Sequence, residues 1–89
     1  MCTYTTERRT VTGSGKGPDR WTRLDTATVY YDHPVHASAE HTLNIDLAPR
    51  DGAPGDRVAL ELTAEAALAL ADAIRAALGA VPAALLSNN

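Results

Sequence analysis

The chain has 89 residues, a net charge of −3 and a hydrophobic fraction of 45%. That length is one domain, and the acidic balance removes the electrostatic footprint that nucleic-acid binding needs. No apolar run approaches the roughly 18 residues of a membrane span, so a membrane partner is not expected either.

Of the hydrophobic residues 17 are alanine and none is phenylalanine, so the material for a core is thin. Small domains in that position commonly lean on a metal, a disulfide or a second subunit. One cysteine, Cys2, rules out a disulfide within the chain. The opening Thr3-Tyr4-Thr5-Thr6-Glu7-Arg8-Arg9 is polar where a signal peptide would be apolar, and the expected location is therefore cytoplasmic.

Residues 2–12 are rich in Thr, Tyr and Val and predict a first strand, at an edge because its side chains are mostly polar. Thr12-Gly13-Ser14-Gly15-Lys16-Gly17-Pro18-Asp19 predicts a turn by composition. Its likeness to a phosphate-binding loop is superficial: Thr10 stands where the first glycine belongs, and Gly17 replaces the hydroxyl residue that would hold magnesium. A hairpin connection is the expectation.

Residues 21–31 form the second predicted strand, with Ala27, Val29 and Tyr31 on one face and Thr26, Thr28 and Tyr30 on the other. It stops at Asp32-His33-Pro34, since proline removes a ladder donor. Residues 40–47 alternate most clearly: His41, Leu43, Ile45 and Leu47 share a face opposite Thr42, Asn44 and Asp46. After a Pro/Gly-rich turn, residues 57–62 give a fourth strand in which Val58, Leu60 and Leu62 alternate with Arg57, Ala59 and Glu61.

Thr63 then predicts an N-cap, and residues 64–78 a helix whose stripe is Ala67, Leu70, Ala71, Ile74, Ala77, Leu78 and Val81. Gly79 and Pro82 end it, and the tail 82–89 is either frayed or packed through Leu85 and Leu86. The fold class is α+β: a four-stranded antiparallel meander with one C-terminal helix on one face, in a single domain spanning 1–89. The helix is expected over Val29, Tyr31, Leu43, Ile45, Leu47, Val58, Leu60 and Leu62. The polar face, with Tyr30, Thr28, Thr42, Asn44, Asp46, Arg57 and Glu61, is left for water or for a subunit interface, and a homo-oligomer is expected.

Met1-Cys2-Thr3-Tyr4, the turn Gly13-Ser14-Gly15-Lys16-Gly17, and the blocks from Ala27 to Ala37 and from Glu40 to Asp46 resemble a family of small actinobacterial proteins of unknown function. The similarity covers nearly the whole chain. It implies a cytoplasmic protein of a high-GC bacterium, in keeping with seven Arg against one Lys, and it implies no activity.

All three histidines lie in one connection, His33, His36 and His41, spaced H-x2-H-x4-H. Three imidazoles at a strand end, a loop and the next strand start can converge on a transition metal, with Cys2 as a fourth, softer ligand favouring zinc or copper and admitting iron or nickel. The bland alternative makes His41 a core histidine, His33 a turn cap beside Asp32, His36 a solvated side chain and Cys2 a small apolar residue. Acid–base use without metal, or a Cys-His nucleophile pair, stays open. The reading is thus a small metal-binding protein, an enzyme or not, that could also take a small-molecule ligand. The alternative is a non-catalytic homo-oligomeric binding or structural module without metal.

Overall fold

The computed structural model describes residues 4–33, 41–51 and 54–87. Four strands, β1 (Thr6–Lys16), β2 (Trp21–Asp32), β3 (Thr42–Ala48) and β4 (Val58–Leu62), form one antiparallel sheet in the order β1-β2-β3-β4. A single 3-10 turn (Pro54–Asp56) precedes β4. Helix α1 (Ala64–Gly79) and a short α2 (Ala83–Leu86) follow. The α+β meander with a C-terminal helix is therefore the fold of this chain.

Register bears out the alternation in sequence. Val29 pairs with Ile45, Tyr31 with Leu43, Ile45 with Leu60 and Leu43 with Leu62, so the larger apolar residues of β2, β3 and β4 do share one face.

The first strand differs from its prediction. It runs over Thr6–Lys16 where residues 2–12 were expected, and Met1, Cys2 and Thr3 lie outside the described residues. Most of the glycine-rich stretch is thus strand, and the connection shrinks to residues 17–20, closed by Gly17 N–H donating to the Arg20 carbonyl at 2.8 Å. A register shift between Thr10 and Gly13 places Val11 and Thr12 opposite Asp25 alone, a β-bulge that carries the strand past the point where alternation fails. Because Lys16 leads into a hairpin and no helix begins there, the phosphate-loop likeness has no structural counterpart.

Gly15 is where the sheet needs a missing side chain. A Cβ at that position would lie 2.9 Å from Leu24 Cδ1 and 3.2 Å from Val58 Cγ2. Strands β1 and β4 are the two edges of the sheet, so this approach shows that the sheet coils strongly at this end. Leu24 is the buried hydrophobic residue of the described chain.

Helix α1 begins as the sequence predicts, with Thr63 Oγ1 accepting from Ala66 N–H at 3.1 Å and Glu65 in the first turn. Its packing does not follow the prediction. The helix meets β3 and β4, and the stripe is half-buried at Ala67, Ala71 and Val81, but Ile74 is 53% and Leu78 51% exposed. Leu60 on β4 is exposed as well, and the buried positions of β3 are Thr42 and Asn44 on the alternate face. Thr42 Oγ1 donates to Asn44 Oδ1 at 2.8 Å, which satisfies one buried hydroxyl with its i+2 neighbour. So the polar face is not simply left to water, and the helix leaves much of its own stripe uncovered. The tail, expected to be frayed or packed, forms α2, with Leu85 and Leu86 exposed.

Candidate functional site

The connection between β2 and β3 starts where β2 runs out of alternation. Asp32 ends the strand, and its Oδ1 accepts from His33 N–H at 2.7 Å. His41 stands immediately before β3. Since Asp32 pairs with Thr42, the two ends of the connection are neighbours across the ladder, and the residues next outward, His33 and His41, are brought side by side.

Their rings stack at 4.5 Å between centroids with 28° between planes. On its other side His41 stacks on Tyr31 at 5.7 Å and 15°. Tyr4, coming from the N-terminal side of β1, lies 5.9 Å from Tyr31 and 6.2 Å from His41, tilted to both. The corner is therefore a run of four rings. Tyr31 and His41 are half-buried where they stack at the end of β2 and β3, while Tyr4 and His33 are exposed.

Within that corner His41 Nε2 is buried and, among the described residues, has no hydrogen-bond partner. An orphaned buried nitrogen costs on the order of 1–3 kcal/mol, and native structures seldom carry one without a water, an ion or a ligand to meet it. A neutral imidazole with its proton on Nδ1 presents a lone pair at Nε2, the form in which histidine binds metals.

Of the four candidate ligands, His33 and His41 meet. His36 and Cys2 lie outside the described residues, the first three positions after His33 and the second two positions before Tyr4. Among the described residues no three of His, Cys, Asp or Glu converge. Two members of the corner, Tyr4 and Tyr31, were not read as part of the site in the sequence. Tyr31 could have been found, because its parity with Leu43 places it on the face that His41 also occupies. Tyr4 carried no such signal.

On the opposite face Tyr30 donates its phenol to Asp46 Oδ2 at 3.2 Å. Burial, and after it the charge of Asp46, raise the Tyr30 ionisation above its ordinary value, with Arg57 acting against them. At the coiled end of the sheet Arg20 pairs with Asp56 at 3.2 Å, so the cleft between the β1–β2 hairpin and the start of β4 is lined by charges of both signs.

Comparison with known families decides the affiliation. Residues 1–87 match a family of unknown function, DUF6295. The chain belongs to the DUF6295 family. Neither the curated proteins nor the solved structures gave a match. Membership in DUF6295 assigns no activity, so the chemistry of the corner has to be argued from its own atoms. No helix among the described residues is long and apolar enough to cross a membrane.

Proposed function

We propose that this DUF6295 protein is a small cytoplasmic protein that binds a transition metal at the histidine corner, zinc or copper before iron or nickel. The observation that carries the reading is His41 Nε2, buried and without a partner among the described residues, its ring 4.5 Å from that of His33. A metal would satisfy that nitrogen, and nitrogen donors suit this group of ions better than magnesium or calcium. His36 and Cys2 are joined to the corner by short lengths of chain and are the further ligands the proposal names.

A second reading has its own observation. Stacked imidazoles present their in-plane lone pairs side by side, not toward a common point, which favours a corner that is purely structural within a homo-oligomeric module.

One substitution separates the two. His41→Phe keeps the stacked ring and removes the orphaned nitrogen, so in chelator it should match or exceed the stability of the unaltered protein. Adding zinc or copper should then raise the melting temperature of the unaltered protein only, because a ligand that binds the folded state stabilises it by mass action. Elemental analysis of untagged protein completes the test. If zinc, copper, nickel and iron all fail to bind, the metal reading is overturned and the structural one holds.

A further inference from the structure

The helix stripe that fails to bury itself on its own sheet has to be set against the size of the whole chain. The structure exposes 6815 Å², whereas a folded monomer of 9.4 kDa exposes about 5,000 Å². Its radius of gyration is 14.7 Å, where a compact chain of this length has about 12 Å. The surplus, roughly 1,800 Å², exceeds the ~800 Å² that each partner gives to a standard interface. Among the described residues Leu24 is the one buried hydrophobic residue, so little of the apolar surface is covered within the protomer.

We infer that the chain folds as a two-fold dimer in which Leu70, Ile74 and Leu78 of α1, together with Leu60 of β4, face the same surface of a second copy. These four are 39%, 53%, 51% and 39% exposed, and three of them recur at four-residue spacing on one helix stripe. The stripe is apolar along its length: the charged residues of α1, Glu65, Asp72 and Arg75, fall outside it, so no like charges meet when two stripes are apposed. A self-complementary patch of this kind closes on itself under a two-fold axis and leaves no growing end. A second copy is also the occupant available at every concentration at which the chain exists, and the amount of surface left open is what an obligate pair would cover. The inference is independent of the metal reading, since none of these four residues is one of the rings that build the corner.

Light scattering and analytical ultracentrifugation of the full chain, in chelator, test it. The expected mass at micromolar concentration is twice 9.4 kDa. Leu78→Ala and Ile74→Ala keep a good helix former at positions exposed in the protomer, so they remove apposed side chains without breaking the helix and should raise the dimer dissociation constant tenfold or more. Asp72→Ala, on the far side of α1, should leave that constant unchanged. A monomer at tens of micromolar overturns the inference, as does a dimer whose dissociation constant is indifferent to both Leu78→Ala and Ile74→Ala.

Discussion

Gly15 and Gly13 stand two residues apart on one strand and should answer oppositely to the same substitution. Alanine in place of a strand glycine ordinarily stabilises by about 0.5–1 kcal/mol, because it narrows the unfolded ensemble. At Gly13 nothing lies within 4 Å of the new Cβ, so Gly13→Ala should hold or raise the urea midpoint. At Gly15 the new atom would press on Leu24 at 2.9 Å and Val58 at 3.2 Å, and Gly15→Ala should cost about 1–3 kcal/mol by overpacking. Equal responses from the two would show that the coiled end of the sheet is not packed as described. Tyr30 gives a second prediction at this scale. Its ionisation is raised in the folded protein, chiefly by burial and then by Asp46, so folding favours the protonated phenol. That contribution is complete below pH 10, the ordinary value, and is lost as pH climbs through the raised one. Near-ultraviolet titration should show a tyrosine component that ionises above the ordinary value, and Tyr30→Phe should abolish it. A titration without that late component would contradict the Tyr30–Asp46 bond.

Among the elements, α1 rests on its N-terminal cap, because its first turn carries N–H groups that no carbonyl within the helix can meet. Thr63→Ala removes the acceptor for Ala66 N–H and should cost about 1 kcal/mol, read as a lower melting temperature; Thr63→Ser should restore most of it. The strands β2, β3 and β4 and the helix were legible because each carries one uninterrupted period, as in Leu43, Ile45 and Leu47 or Ala67, Ala71 and Ile74. The reach of β1 was not. Gly13-Ser14-Gly15-Lys16 reads as a turn by composition, and what makes it strand is a tertiary fact, the need for Leu24 and Val58 to come close over Gly15. The bulge at Val11 and Thr12 hides the strand further by breaking its alternation. At the ring corner, the meeting of His33 and His41 could be read from the shortness of their connection. Tyr4 could not, because its place depends on where β1 starts relative to Tyr31. Nor could periodicity say that Ile74 and Leu78 stay open: it marks an apolar stripe and is silent on whether the same chain or another covers it.

At the scale of the molecule the same exposure becomes a statement about cooperativity. If the protomer is half of a core, folding and association are one reaction, and stability includes the concentration of chains. Each tenfold rise in concentration then adds about 1.4 kcal/mol to the folded dimer, the free-energy equivalent of a factor of ten in an equilibrium constant. For a folding unit of two such chains, a kilocalorie shifts the melting temperature by about 2–4 °C, so the midpoint should climb by roughly 3–5 °C per decade of protein concentration. Differential scanning measurements across two decades, in chelator so that no metal contributes, would show the slope. Leu78→Ala, which leaves an exposed helix position in the protomer, should lower the midpoint at every concentration and keep the slope, because it weakens association without changing the number of chains in the folded state. A midpoint independent of concentration would mean that the chain is stable alone, and that the 53% of Ile74 open in the protomer stays in water.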